Sequence, residues 1–249
     1  MKIIAITQAR TGSTRFPNKI MKRIEDKTLL RIHIDRIKKS QKKGIIIIAT
    51  TRKKNDDIIE IEANNLGVHC YRGDEEDVLD RFYEAAKLHN PDYVVRLTSD
   101  CPLIDPSLID DIVEATIDSN VDYGSNTLIE SYPDGQDIEV FTFSALKKAW
   151  ESARLVSERE HVTPYMKKNL KVLNIHSNNM KFGKVRMTVD EPNDFEVIKR
   201  LIDKLGINEN WEAYSKLYLS DKTISNVNDS TTRNEGYINS IENDSINLL

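Results

Sequence analysis

Short apolar runs that alternate with helical periodicity constrain the fold of this 249-residue chain more than any other feature. Five of these runs predict buried strands, and the four consecutive isoleucines of the second run are typical of a strand covered on both faces. The predicted strands are Ile3–Thr7, Ile45–Ala49, Tyr93–Leu97, Ile138–Phe141 and Val185–Val189. Strands and helices that alternate in this way predict right-handed crossovers and a doubly wound, mostly parallel α/β sheet.

The segments between these strands carry signals for helix starts and stops, such as capping side chains, first-turn prolines and closing glycines. The predicted helices run from Thr28 to about Lys39, from Asp56 to Asn65, from Val78 to before Asn90, from Pro106 to near Ser119, and onward from a capping-box spacing at Ser157–Glu160. Ligands of doubly wound sheets bind beyond the carboxyl ends of the strands, so polar clusters at those ends are candidate sites.

Composition and length exclude several classes of protein. The chain has 36 Lys and Arg against 40 Asp and Glu, a net charge of −4 that argues against a dedicated nucleic-acid binder. No apolar stretch is long enough for a membrane span or a signal peptide, and two cysteines cannot form a disulfide framework. We therefore expect a cytoplasmic protein with one domain over 1–220. An Asn- and Ser-rich tail over 221–249 is expected either to be mobile or to lie across another surface.

The loop after the first predicted strand is the first candidate site. Three cations, Arg10, Arg15 and Lys19, surround a small-residue turn at Gly12 and Ser13. Glycine can let backbone N–H groups converge on an anion, and arginine matches phosphate oxygens in pairs. The loop therefore predicts a polyphosphate site, although a solvated cationic loop would show the same spacing. It matches neither the P-loop nor the dinucleotide-binding pattern, which argues against those folds.

Two aspartates follow later strands of the predicted sheet. Asp100 comes just after the third strand and Asp190 just after the fifth. Rigid carboxylates at strand ends suit Mg²⁺, which typically binds one or two carboxylates together with substrate phosphates. Each aspartate alone is also typical of a turn or a helix start, and Asp105 is expected to be only that. The two strand-end aspartates and the basic loop together favour a metal–nucleotide site.

These motifs together resemble those of the cytidylyltransferases that make CMP-activated acidic sugars. The most similar branch is that of the cytidylyltransferase-like proteins of spore-coat polysaccharide biosynthesis. The resemblance extends from residue 3 to about 205 and includes a tail motif at 234–237. The motifs that carry it are Gln8-Ala9-Arg10-x-Gly12-Ser13-x-Arg15-x-x-x-Lys19, Asp77-Val78-Leu79-x-Arg81, Ser99-Asp100-Cys101-Pro102, Arg159-Glu160-His161-Val162-Thr163 and Val189-Asp190-x-Pro192-x-Asp194-Phe195.

The resemblance implies a GT-A-like nucleotidyltransferase fold, CTP as the donor and Mg²⁺ as the cofactor. It implies that Asp100 and Asp190 hold the metal. It also implies that Arg15 and Lys19 stabilise charge on the leaving pyrophosphate, so that these two cations and Asp100 are the catalytic residues. The implied nucleotide contacts are Gln8 and Ala9 at the base edge, Arg10, Gly12 and Ser13 around the triphosphate, and Arg72 at the nucleoside.

Two further segments are candidates for binding the acceptor. The turn before the fourth strand is either the lip of an acceptor pocket, with Gln136, Asp137 and Glu139 facing inward, or an ordinary hairpin connection. Arg159 and His161, in the first turn of a helix, either hold an anionic group of the acceptor or are solvated. Residues 125–180 are expected to form an insert that supplies the pocket lip and, as in relatives, the contacts of a homodimer.

The expected function is the transfer of CMP from CTP to an acidic sugar or a related small acid, for surface glycan biosynthesis. Two alternatives stay open: a nucleotidyltransferase for a sugar phosphate or a phosphonate, and a non-catalytic protein that binds nucleotide sugars or serves as a scaffold. A glycosyltransferase on the same fold is disfavoured because the sequence contains no Asp-x-Asp motif.

Overall fold

A seven-stranded sheet forms the centre of the computed structural model, which describes residues 1–229, 231 and 233–247. In chain order the strands are β1 (Ile3–Gln8), β2 (Arg23–Ile24), β3 (Lys27–Thr28), β4 (Ile45–Thr51), β5 (His69–Gly73), β6 (Tyr93–Thr98), β7 (Tyr123–Ser125), β8 (Glu139–Thr142) and β9 (Val172–Asn174). The main sheet has the order β5-β4-β1-β6-β8-β7-β9, and β2 pairs with β3 alone. Only β8 runs antiparallel to its neighbours in the main sheet, so the prediction of a mostly parallel α/β sheet is confirmed.

Helices cover both faces of this sheet. They are α1 (Leu29–Ile37), α2 (Asp57–Leu66), α3 (Val78–Lys87), α4 (Pro106–Asp118), α5 (Phe143–Ser152), α6 (Val156–His161), α7 (Pro164–Asn169), α8 (Pro192–Leu205), α9 (Trp211–Ser220), α10 (Lys222–Ser225) and α11 (Glu235–Asn247). Helices α1, α2 and α4 pack on one face, and α3, α5 and α7 on the other. No helix in the described ranges has the length and apolar character that a membrane crossing requires.

The isoleucine run in β4 shows why the sheet is buried on both faces. Ile46 and Ile48 belong to the apolar core on one side of the sheet, whereas Ile47 and Ala49 belong to the core on the other side. Successive side chains of a strand point to opposite faces, so a run without polar residues requires cover on both.

The predicted strand at Val185–Val189 is wrong. The segment makes one isolated bridge, between Asp134 and Arg186, and no ladder with the main sheet. Its alternate residues Val185, Met187 and Val189 are buried with α8 and α9 in a third apolar cluster. The period-two pattern is therefore satisfied by packing against helices instead of by pairing within the sheet.

The predicted capping box at Ser157–Glu160 also needs correction. Helix α6 begins at Val156, and the Glu158 carboxylate accepts hydrogen bonds from the backbone N–H groups of Arg154 and Leu155. Other helix signals act as predicted: Thr28 caps α1, Asp105 caps α4 and Gly67 closes α2 in the left-handed region.

The described part of the tail packs on the domain. Ile224 is fully buried, and Asn228 is 1% exposed. The Asn228 amide accepts a hydrogen bond from the Tyr218 hydroxyl at 2.8 Å and donates one to the Asp194 carboxylate at 2.8 Å. The segment that follows α10 is thus tied to the core of α8 and α9.

Replacing Asn228 with alanine is expected to lower the free energy of unfolding by about 1–3 kcal/mol, because it leaves buried polar partners without a hydrogen bond. Asn226→Ala, at an exposed position two residues earlier, is the matched control and should change stability by less than about 0.5 kcal/mol. Urea unfolding of both variants measures the difference. Equal, small effects would show that the tail is not part of the cooperative fold.

Candidate active site

Two adjoining cavities open at the carboxyl ends of β1 and β6. The first lies between the β1 loop, the start of α3 and the end of β6. The second lies between β6, β8, α7 and the C-terminal segment. The residues that line both cavities are Gln8, Arg15, Thr98, Asp100, His161 and Asp190. A molecule in one cavity would therefore meet a molecule in the other at the two predicted metal-binding carboxylates.

The β1 loop is held in place by a buried aspartate. The backbone N–H and the hydroxyl of Thr11 both donate to Asp56 Oδ1, at 2.8 and 2.6 Å. The N–H groups of Ser13 and Asn18 donate to the Thr11 carbonyl, which closes the turn. Asp56 is 2% exposed and was not a predicted site residue. It fixes the loop without facing either cavity.

The loop meets part of its prediction. Ala9, Arg10, Ser13, Arg15 and Lys19 line the first cavity, and Gln8 lines both cavities. Gly12 does not line either cavity, and its φ lies outside the left-handed region that would favour glycine. Its predicted role in an anion-binding backbone turn is therefore not seen in this conformation.

The three predicted loop cations have different surroundings. Arg10 is 45% exposed, with Nη1 3.5 Å from a Glu75 carboxylate oxygen. Arg15 is 37% exposed and contacts Glu235 at 2.8 Å and Asp190 at 3.3 Å. Lys19 is only 12% exposed, and its ammonium is in contact with two carboxylates. Two cations thus have room to take a new anionic partner, whereas the third would have to leave its present ones.

Lys19 bridges Asp100 and Asp190, the two predicted metal ligands. Its Nζ lies 3.0 Å from Asp100 Oδ2 and 2.8 Å from Asp190 Oδ1. Burial on its own lowers the pKa of Lys19, but the Asp100 and Asp190 charges outweigh it, so that the pKa is raised. Burial on its own raises the pKa of Asp100, and the Lys19 ammonium reverses the effect and lowers that pKa to about 2. The Lys19 ammonium and the Asp100 carboxylate are therefore both ionised at neutral pH.

The Asp100 and Asp190 pair fits a small divalent cation. One oxygen of each carboxylate lies within 3.0 Å of the same nitrogen atom, so both carboxylates can reach a single ion. In the part of the chain that the structure describes, no group of three or more His, Cys, Asp or Glu residues could hold a metal. A Mg²⁺ ion on two carboxylates would take its remaining ligands from substrate phosphates and water.

A buried arginine positions Asp190. Arg186 binds both oxygens of Asp194, at 2.8 and 2.9 Å, and also contacts Asp134 at 2.6 Å and Asp190 at 3.0 Å. Burial on its own lowers the pKa of Arg186, but the surrounding carboxylates outweigh this effect, so the pKa is raised overall. Asp194 Oδ2 also accepts the N–H groups of Asp190 and Glu191. This network fixes the direction of the Asp190 carboxylate relative to α8.

The second cavity contains two of the predicted acceptor residues from β8 and its turn. Asp137 and Glu139 line it, but Gln136 does not. Gln136 is fully buried, and its side-chain amide binds the backbone: it accepts a hydrogen bond from the Asp105 N–H and donates one to the Leu103 carbonyl. The prediction that Gln136 faces the acceptor is therefore wrong; it fixes the turn that presents Asp137.

Glu139 is the centre of a buried cluster that the sequence did not reveal. Its carboxylate binds Arg96 from β6 and Lys167 from α7, and it accepts a hydrogen bond from the Tyr123 hydroxyl at 2.6 Å. Burial opposes ionisation, but Lys167 and Arg96 hold the pKa of Glu139 well below its usual range. Two cations thus share one ionised carboxylate within this cluster.

The motif residues of α6 separate in the structure. His161 lines both cavities, and burial lowers its pKa so that the neutral imidazole is favoured. Arg159 lines neither: its guanidinium binds Asp77, the cap of α3, and the Trp150 carbonyl. The prediction that Arg159 holds the acceptor is corrected to a structural role, because it joins α6 to α3.

Arg72 is also kept away from the two cavities. Its guanidinium contacts Asp57 at 2.6 Å, Glu60 at 2.9 Å and the carbonyls of Thr51 and Lys53. It does not line either cavity, so the predicted nucleoside contact is not present in this conformation. These contacts tie the end of β5 to α2.

Comparisons with known proteins place this arrangement in a family. The cytidylyltransferase family model matches residues 4–224. The spore coat polysaccharide biosynthesis protein SpsF of Bacillus subtilis is 33% identical over 213 residues, which are 82% of this chain and 88% of that protein. An uncharacterised protein of Methanocaldococcus jannaschii is 44% identical over 205 residues, 81% of this chain and 83% of that protein.

Solved structures agree with this match. A cytidylyltransferase from Leptospira borgpetersenii superposes with a TM-score of 0.85 at 33% identity, over 93% of this chain and 98% of that one. A CMP:2-keto-3-deoxy-manno-octonic acid synthetase complexed with CTP superposes with a TM-score of 0.62 at 16% identity, over 82% of this chain and 99% of that one. The second likeness shows a common fold alone.

Replacing Lys19 with methionine is expected to make the free energy of unfolding less dependent on pH in the acid range. The pKa of Asp100 in the folded protein, about 2, lies below the roughly 3.9 of an unfolded aspartate. The stability that Asp100 contributes is therefore complete above about pH 4 and is lost as the pH falls toward 2. Without the ammonium the Asp100 pKa rises, so unfolding free energy should be lower at pH 7 and fall less between pH 5 and 3.

Urea unfolding at these pH values measures this response. Lys148→Met, at an exposed position in α5, is the matched control and should keep the wild-type profile. A wild-type profile in Lys19→Met would contradict the ion pair.

Proposed function

The chain belongs to the cytidylyltransferase family, and we propose that it transfers CMP from CTP to a hydroxyl of an acidic sugar or a related small acid. Pyrophosphate is the second product. The observation that carries the proposal is the meeting of two cavities at Asp100 and Asp190. A transfer between two substrates needs such a meeting point, because the attacking oxygen and the α-phosphorus must be brought into contact.

The first cavity suits the triphosphate of the donor. Arg10 and Arg15 are partly exposed there, and Lys19 lies deeper at the carboxylate pair. Arginine binds phosphate oxygens in pairs, and lysine adds a point charge. Lys19 is placed to exchange its carboxylate partners for phosphate oxygens. The match to the cytidylyltransferase family model supports the choice of CTP as the nucleotide.

The second cavity suits an acidic acceptor. Arg96 and Lys167 share one carboxylate, that of Glu139, so these three side chains together carry one net positive charge. Lys167 is one-third exposed and can take a second anionic partner. His161 lines the wall between the cavities. These groups support a carboxylate on the acceptor as the feature that the cavity recognises.

The reaction requires positioning and charge neutralisation more than covalent participation by the protein. The acceptor oxygen forms a bond to the α-phosphorus, and the bond from that phosphorus to the bridging oxygen of the β-phosphate breaks. Arg15 and Lys19 would stabilise the charge that develops on the pyrophosphate. Arg186 and Asp194 would keep Asp190 in place while Lys19 moves.

We propose Mg²⁺ as the cofactor, held by Asp100 and Asp190. When bound, the ion would neutralise phosphate charge and polarise phosphoryl oxygens. The shared reach of the two carboxylates supports this assignment.

We extend the proposal to a cytoplasmic homodimer that acts in surface glycan biosynthesis. Support for the dimer comes from the insert, where Leu128, Ile129 and Met180 expose 37, 48 and 57% of their surface. The segments that carry them are neighbours, because Ser177 N–H donates to the Ser131 hydroxyl at 3.0 Å. Apolar side chains grouped on a surface are typical of protein interfaces. The SpsF relative supports the pathway.

Pyrophosphate release tests the proposed reaction. Each of the four ribonucleoside triphosphates is combined with Mg²⁺ and with 3-deoxy-manno-octulosonate, N-acetylneuraminate, hexose phosphates or small phosphonates. We expect release only with CTP and an acid, and loss of release on removal of Mg²⁺ by a chelator. Release with a sugar phosphate or a phosphonate instead would reassign the acceptor. No release with any pair would contradict the proposed enzyme.

Replacing Asp100 with asparagine should reduce turnover on the order of 10²-fold or more, because the metal would lose one of its two carboxylates. Asp203→Asn, at an exposed position of α8, is the matched control and should keep wild-type turnover. Turnover is measured at saturating CTP, and thermal unfolding checks that both variants fold. Near-wild-type turnover in folded Asp100→Asn would remove Asp100 from the mechanism.

A further inference from the structure

The C-terminal segment forms a wall of the second cavity. Residues 233–237 all line it, although the match to the family model ends at residue 224. Arg233 brings a cation, and Glu235 contacts Arg15 of the β1 loop at 2.8 Å. The wall of the second cavity therefore includes residues that lie beyond the match to the family model.

Anchors on α6 hold this wall in position. The Tyr237 ring packs edge-on against His161, with 5.0 Å between centroids. The Ser240 hydroxyl contacts His161 Nε2 at 2.9 Å and donates to Glu160 at 2.8 Å. One turn further along α11, Asp244 accepts the N–H of Ser157. The segment is thus fixed by several contacts on one side of Arg233.

Arg233 reaches from this wall to the two aspartates of the β8 turn. Its Nη2 donates to Asp137 Oδ1 at 2.7 Å, and its Nη1 donates to the Tyr132 carbonyl at 3.2 Å. Its Nε lies 3.9 Å from Asp134 and is buried without a hydrogen-bond partner. The side chain is 13% exposed. Its shortest ion pair is the one to Asp137, and its Nε lies at similar distances from Asp134 and from the half-exposed Glu130, 3.9 and 3.8 Å.

The two aspartates need this cation. Asp134 also pairs with Arg186, but Arg186 shares its charge with Asp190 and Asp194. For Asp137, the ion pair to Arg233 is the only one within 4.0 Å in the described ranges. Burial raises the pKa of Asp137 even with Arg233 beside it, so its charge is costly at this place. Without Arg233, two carboxylates would face the cavity with one shared cation.

We propose that Arg233 determines the specificity of the second cavity for an anionic acceptor, by neutralising Asp137 and Asp134 at its wall. This inference rests on the proposed function of the cavity. Without Arg233, an acid that enters it would be repelled by Asp137, which would lose its ion pair, whereas a neutral sugar would not. Arg233 acts through the aspartates and is a positioning residue for them, so its loss should raise the KM of the acid and leave CTP binding intact.

The experiment compares Arg233→Gln with the charge-conserving Arg233→Lys. Steady-state pyrophosphate release is measured with CTP and the better substrate of 3-deoxy-manno-octulosonate and N-acetylneuraminate, beside the methyl ester of the same acid. Arg233→Gln should raise the KM of the acid about 10-fold or more with less than about a 2-fold change in the KM of CTP. Arg233→Lys should raise the KM of the acid by less than about 3-fold.

A double variant separates charge from structure. Removing the partner charge in Arg233→Gln with Asp137→Asn should bring the KM of the acid back to within about 3-fold of wild type, because no uncompensated charge is left. The relative rate with the methyl ester should rise in Arg233→Gln. Arg200→Gln, on the exposed face of α8, is the control and should keep the wild-type KM values.

The outcomes distinguish two failures. A wild-type protein that releases pyrophosphate with neither acid overturns both the proposed acceptor class and this inference. Turnover of an acid by wild type with an unchanged KM in Arg233→Gln overturns the inference alone. A KM that rises equally for acid and ester, or that the double variant does not restore, would also overturn it, because that result indicates a structural role.

Discussion

One ion triad organises the candidate site. Lys19 joins the loop after β1 to Asp100 after β6 and to Asp190 before α8, three segments that are far apart in sequence. Two carboxylates this close repel each other, so their native positions depend on a cation between them. The ammonium supplies that charge in this conformation, and a divalent ion with substrate phosphates would supply it in the proposed complex. Every other feature of the site either fixes this triad or surrounds it.

The supporting residues explain why the polar pocket can be built into a folded protein. Buried charges are tolerated when each has a partner, and Arg186 with Asp194 and Glu139 with Arg96 follow that rule. The same networks hold the cavity walls: the first orients Asp190, and the second fixes Arg96 and Lys167 around Glu139 at the wall of the second cavity. The ion pairs that stabilise the fold thus also shape the candidate site.

Much of the fold could be predicted from sequence because β1, β4 and β6 are long apolar runs whose alternate residues face two cores. The edge strand β5 and the three-residue strands β7 and β9 lack such runs. The segment Val185–Val189 was wrongly predicted to be a strand because its alternating apolar residues can be buried against helices as well as within a sheet. The family resemblance was confirmed. The loop cations and Asp100 came together because β1 and β6 are parallel neighbours that share a carboxyl edge, whereas Asp190 is brought there by an irregular segment whose Val189 N–H donates to the Asp100 carbonyl. The predictions for Gln136 and Arg159 failed because their partners are set by tertiary packing.

We propose that Lys19 holds the place of substrate and metal charges between Asp100 and Asp190. A crystal structure of the complex with Mg²⁺ and a non-hydrolysable CTP analogue tests this most directly. We expect Lys19 Nζ to leave both carboxylates and to contact a phosphate oxygen, while Asp100 and Asp190 coordinate the ion. A Lys19 ammonium still bridging the two carboxylates, with the nucleotide and the ion bound elsewhere, would contradict it.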